Sequence, residues 1–124
     1  MIVNGDSLLA LAPIKGMLPT KERLHGVSYG LAEAGYDIRI KQEVRFSHCG
    51  DRRVRVYDPD AGVTVTPGRF ALASATEEFQ MPDCLVGYVK DKSTWARKGL
   101  SVFNTVIEPG WSGFLTLELV YHGS

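Results

Sequence analysis

The stretch "GLSVFNTVIEPGWSGFLTLELVY", residues 99–121, decides the fold. In its second half Phe114, Thr116 and Glu118 alternate with Leu115, Leu117 and Leu119. Successive side chains of a strand point to opposite faces, so this spacing predicts a strand with one apolar and one polar face. Pro and Gly in "EPGW" (108–111) supply a turn, and "GLSVFNTVI" (99–107) reads as a further strand before it. The unit is strand, turn, strand.

Working outward, "YDIRI" (36–40), "VRVYD" (54–58) and "GVTVT" (62–66) show strand character, as do "RFALASATEEF" (69–79) and "LVGYV" (85–89). "HCGD", "DPDAG", "TPG" and "MPD" separate them as turns. Many short strands with Gly and Pro turns predict an all-β sandwich, jelly roll or barrel. One short helix is expected at the start. Asn4 or Asp6 caps it, Leu8, Leu9 and Leu11 form its apolar face, Pro13 limits its length and Gly16 follows as a stop. The strand at 114–121 is followed by only three residues. That predicts either cover from another subunit or a longer natural chain, because bare sheet edges are a liability.

Composition narrows the function classes. The 124 residues are expected to form one domain. Fourteen Lys and Arg balance fourteen Asp and Glu, so no basic field invites nucleic acid or a membrane surface. Anion recognition must therefore be local. Two cysteines, Cys49 and Cys84, with no CxxC argue for a reducing compartment rather than a disulfide scaffold, and no local signature makes either a nucleophile. The start has no basic region before its apolar run, which argues against a signal peptide. No apolar run approaches the roughly 20 residues that span a bilayer. The expectation is a soluble, cytoplasmic protein. His25, His48 and His122 carry no HxE or HExxH pattern, so no catalytic zinc is expected. No Walker loop and no GxGxxG after a strand appears.

What remains is local. Lys92, Ser93, Thr94 and Arg97 follow the strand at 85–89. Hydroxyls, turn N–H groups and a guanidinium make a cradle for phosphate oxygens. The same residues also read as an ordinary helix start, with Ser93 capping, Trp95 and Ala96 packed and the two cations solvated. Glu118 and Glu108 are either solvated carboxylates or acid–base groups. Both readings stand on local grounds.

Taken together, "KSTWARKGL" (92–100), "IEPGWSG" (107–113) and "LTLEL" (115–119) resemble the signature segments of dCTP deaminases in the trimeric dUTPase-like superfamily. "GVSYGLAEAGYDIRI" (26–40) resembles the segment before the first core strand, and 67–89 the approach to the serine–arginine motif. The resemblance implies a distorted jelly roll (β-clip) and a homotrimer with active sites between subunits. It also implies hydrolytic deamination of dCTP to dUTP and ammonia, with Mg2+ arriving on the triphosphate. By the same resemblance Glu118 takes the place of the catalytic glutamate. Ser93 fixes the water and contacts phosphate, and Arg97, Lys92 and Thr94 bind the triphosphate. Backbone groups around Thr105, Val106, Thr116 and Leu117 read the base, Glu108 lies near the sugar 3′-hydroxyl, and Trp111 packs near the deoxyribose.

Departures from the pattern accompany it. "SVFNTV" (101–106) is shorter than in many deaminases and lacks an arginine placed by the base. Tyr121 stands where an asparagine is common, and the family's C-terminal portion is expected to be missing. Related dUTPases carry a small residue at the Glu118 position and an aspartate at the Glu108 position. Three readings are therefore open: a deaminase, a dUTPase-like or bifunctional diphosphatase using Glu108, and a non-catalytic nucleotide-binding trimeric homologue.

Overall fold

A computed structural model describes residues 1–47, 50 and 52–123. The readings at His48 and Cys49, and with them the turn "HCGD", lie outside the described residues. The chain is all-β with antiparallel sheets and a short N-terminal helix, as expected. Its residues gather into two compact units. The first comprises Met1–Arg39, Thr76–Tyr88 and Val106–Leu115, the second Ile40–Ala75, Val89–Thr105 and Thr116–Ser124.

The first unit opens with helix α1, Gly5–Leu11. Asn4 occupies the N-cap but makes no side-chain cap bond; its amide reaches the Glu33 carbonyl instead, at 3.3 Å. Of the three leucines, Leu8 is buried, Leu9 half-buried and Leu11 exposed. The helix is about two turns long, as Pro13 leads one to expect: Ala12 turns left-handed (φ 47°) directly before it, ahead of Gly16. A hairpin follows that the sequence reading does not contain: β1, Lys21–Leu24, against β2, Val27–Leu31. His25 and Gly26 join them, both with positive φ (52° and 77°), which matches the right-handed twist of the strands. Strand β3 is only Tyr36–Asp37, shorter than the 36–40 expectation, and pairs with β2.

Beyond β3, the backbone of Arg39 carries on beside the long strand β7, Phe70–Gln80, through the Thr76 N–H at 2.8 Å. Glu77 on β7 is buried at 6% exposure. Its two carboxylate oxygens accept from the Arg39 backbone N–H at 2.8 Å and from Arg39 Nε at 2.9 Å. The same guanidinium lies 4.6 Å from the centre of the Tyr29 ring. In the same unit Leu8, Ile14, Phe79, Met81, Ile107 and Leu115 are buried. The short strands β8, Gly87–Tyr88, and β10, Val106–Ile107, complete the unit as an antiparallel pair.

The second unit holds a three-stranded meander: β4, Glu43–Phe46; β5, Arg53–Asp58; and β6, Gly62–Pro67. Strand β4 is again absent from the sequence reading. The turn from β5 to β6 is built by Asp58, which accepts from the N–H groups of Asp60 (2.8 Å) and Ala61 (3.0 Å) and from the Gln42 amide (2.7 Å). These bonds, the Gln42 bond first, hold the Asp58 carboxyl below its ordinary pKa. Val54, Ala71, Ala73, Ala75, Leu117 and Leu119 are the buried apolar residues here. The expected strand at 99–107 is two strands. Only β9, Leu100–Val102, belongs to this unit, and it pairs with β11, Ser112–Tyr121. In their sheet the strand order is β7-β11-β9. Among the described residues no helix is long and apolar enough to cross a membrane.

Candidate functional site

Strand β11 presents its faces as the alternation predicts. Leu115, Leu117 and Leu119 are 9%, 3% and 0% exposed, while Phe114 and Thr116 are exposed and Glu118 is half-buried. The Glu118 carboxylate has no hydrogen bond or ion pair with any described residue. A carboxylate that is partly shielded and uncommitted is suited to take and return protons.

The backbone of Glu118 is held firmly. Residues of an antiparallel strand turn their N–H and C=O toward the same neighbour, and for Glu118 that neighbour is β9 and its continuation. The Phe103 N–H donates to the Glu118 carbonyl at 2.8 Å. The Glu118 N–H donates to Asn104 Oδ1 at 2.9 Å, and Asn104 Nδ2 donates to the Thr116 carbonyl at 2.7 Å. The amide orientation is dictated, because an N–H can only donate and a carbonyl only accept. Sequence reasoning missed Asn104. Its one signal was an asparagine inside a run of strand formers, where that residue is disfavoured.

In the same unit Lys92, Ser93, Thr94 and Arg97 surround α2, a single turn at Ser93–Ala96. The cap differs from the expected one: Lys92 is the N-cap and Ser93 the first helical residue, with no side-chain cap bond. Ser93 and Arg97 are exposed, Lys92 and Thr94 half-buried. Trp95 and Ala96 do not pack inward; both are exposed, and Lys98 Nζ lies 5.2 Å from the centre of the Trp95 indole. Asp91, just before the turn, accepts from the Val102 N–H at 2.7 Å and so ties the start of this segment to β9. Thr105 is exposed beside Asn104. Leu117 is a core side chain, so only its backbone is available to a ligand.

Three site residues fall in the first unit. Glu108, Pro109, Gly110 and Trp111 form a turn closed by the Trp111 N–H to the Glu108 carbonyl at 3.2 Å. Pro fits its second position and Gly110, at φ 77°, its third, the requirement of a type II turn. Glu108 is thereby exposed, while Trp111 is half-buried with its ring 6.3 Å from that of Phe79. Val106, in β10, is 40% exposed and pairs with Tyr88. Among the described residues no three His, Cys, Asp or Glu side chains gather as a metal site requires.

Comparison with known proteins follows this geometry. Residues 20–124 match a family model described as dCTP deaminase-like. A dCTP deaminase of Acidobacterium capsulatum is 35% identical over 133 aligned residues, covering 96% of this chain and 73% of that protein. One from Campylobacter jejuni is 39% identical over 103 residues, covering 75% and 55%. One from Chlamydia trachomatis is 36% identical over 124 residues, covering 92% and 62%. The chain thus spans between 55% and 73% of the length of these relatives. The all-β architecture agrees with the dUTPase-like fold.

Proposed function

Because the chain belongs to the dCTP deaminase-like family, we propose that it catalyses the hydrolytic deamination of dCTP to dUTP and ammonia. The observation that carries this reading is Glu118: half-buried, uncommitted, and rigidly held by its backbone.

In the proposed reaction Glu118 takes a proton from water as the oxygen attacks C4 of the cytosine. The proton passes to N3, and a further transfer to the C4 amino group lets it leave as ammonia. Water supplies the oxygen that remains on the base, so dCTP and water balance dUTP and ammonia. Ser93 orients the water and contacts phosphate. Arg97, Lys92 and Thr94 neutralise and bond the triphosphate, where guanidinium geometry suits paired oxygens. Backbone groups around Thr105, Val106, Thr116 and Leu117 meet the base, Glu108 the 3′-hydroxyl and Trp111 the deoxyribose. The Thr116 carbonyl already accepts from Asn104, so its remaining lone pair is the one left for a base. Mg2+ enters on the substrate, bound to its phosphates. The working form is a homotrimer of single-domain subunits with sites between them, acting in the cytoplasm without nucleic acid or membrane.

One observation favours a second reading. Glu108 is exposed on its turn and its carboxylate has no partner among the described residues. A dUTPase-like or bifunctional diphosphatase would use it to activate water against the α-phosphate. A third reading, a non-catalytic nucleotide-binding trimer, predicts binding without turnover. Incubation with dCTP and Mg2+ separates the three. Ammonia with dUTP supports the deaminase, pyrophosphate indicates diphosphatase chemistry, and tight nucleotide binding without product leaves the binding module.

A further inference from the structure

The ladder between β9 and β11 does not simply end. It changes its chemistry at Asn104. Val102 faces Leu119, and the Phe103 N–H reaches the Glu118 carbonyl, as the regular antiparallel pattern requires. The next bonds of that pattern would run from the Glu118 N–H to the Phe103 carbonyl and from the Thr105 N–H to the Thr116 carbonyl. Neither place is filled by the main chain. Asn104 Oδ1 takes the first and Asn104 Nδ2 the second. One side-chain amide stands in for two peptide groups, since it has the same planar acceptor and donor. From the Phe103 carbonyl to Thr105 the main chain is thereby released from β11, and β10 begins directly afterwards at Val106.

We propose that Asn104 is a positioning residue for Glu118, an inference that rests on the deaminase reading above. Both backbone polar groups of Glu118 face β9 and its continuation, and among the described residues Phe103 and Asn104 are the groups that hold them. Removing the Asn104 amide frees the N–H of Glu118 and the carbonyl of Thr116 together. The Glu118 Cα then loses one of its two anchors. Its carboxylate must be placed within hydrogen-bond reach of a water and of N3 in turn, and small displacements there are costly in rate. A misplacement of about 1 Å can lower turnover by about 100-fold. Asn104 is not among the groups assigned to phosphate, and of those assigned to the base it bonds only the Thr116 carbonyl, so the larger loss falls on turnover.

The test compares the full chain with Asn104→Ala and Asn104→Asp. Asn104→Asp keeps an oxygen for the Glu118 N–H but loses the donor to Thr116. Expected in Asn104→Ala is a fall in kcat for dCTP of at least about tenfold with KM changed by less than about threefold. Asn104→Asp should lie between it and the unsubstituted protein, and carries the test alone if Asn104→Ala does not fold. An unchanged kcat in both variants, or a KM effect that exceeds the kcat effect, overturns the proposal. Amide hydrogen exchange at the Glu118 N–H supplies a readout independent of activity. It should be slow in the unsubstituted chain and at least about tenfold faster in Asn104→Ala. If the unsubstituted chain releases no ammonia, the deaminase reading fails and exchange alone decides the clamp. Slow exchange that the alanine variant loses retains the clamp, and equal exchange in both removes it.

Discussion

Glu77 and Glu118 are two carboxylates on long strands, in different units, with opposite fates. Glu77 points into the interior of the first unit, where both its oxygens are taken by Arg39. Glu118 points to the open face of β11 in the second unit, and its carboxylate is uncommitted. The first is half of a partly buried ion pair that stabilises the fold. The second has no hydrogen bond or ion pair with any described residue, so replacing it breaks no side-chain contact. Residue type therefore says little about role; the face of the strand and the presence of a cation decide it.

The comparison is broken most severely at Glu118. Glu118→Gln keeps the shape and removes the proton acceptor, and should lower dCTP deamination by about 1000-fold. Its thermal midpoint should move by no more than about 2 °C, because no folded-state partner is lost. Ammonia release and a melting curve on the same sample check both halves.

At Glu77 the ranking reverses. Arg39→Ala leaves a carboxylate that is 6% exposed with only a backbone N–H for company. The cost should be about 2–3 kcal/mol in urea unfolding, less than for a fully buried pair because the Arg39 side chain is partly exposed. Turnover per folded molecule should be nearly unchanged.

A milder effect is expected at Arg97. It is exposed at the C-cap of α2, and its side chain has no hydrogen bond or ion pair with a described residue. Arg97→Ala should raise KM for dCTP by about tenfold, equivalent to one charge-assisted contact, with stability unaffected. Equal KM values would remove it from the phosphate site.

The smallest effect concerns a third carboxylate, Asp58. Its hydrogen bonds, from Gln42 first and then the backbone of Asp60, favour the ionised form in the folded chain. Such a group contributes stability above its unfolded pKa, and the contribution is lost as pH falls through the lower folded value. Stability should therefore decline below about pH 4, and Asp58→Asn should flatten that part of the profile. Urea midpoints measured across this range in both proteins provide the check.

Legibility in the sequence followed periodicity. Strands β5, β6, β7 and β11 were readable because apolar and polar residues alternate along them or β-branched residues fill them. The inward face of Leu115, Leu117 and Leu119 came out as expected. Strand β1 was not readable, since all four of its residues are exposed and three are charged, so no apolar alternation marks it. The break at 103–105 was hidden for a different reason. Phe103 and Thr105 are strand formers, one disfavoured asparagine between them is a weak signal, and the departure is set by bonds from that side chain to a distant backbone. Of the candidate site, the orientation of Glu118 was legible from spacing alone. The exposure of Trp95 and the cap at Lys92 were not, because both depend on packing around a single helical turn.

Proline aside, main-chain hydrogen bonds are indifferent to which residues carry them, and substitution leaves them in place. At Asn104 that indifference lapses. Two rungs of the sheet depend on one codon, so the geometry beside Glu118 is heritable in a way the rest of the ladder is not. Divergence at that position would retune the strand through its bonds to Glu118 and Thr116.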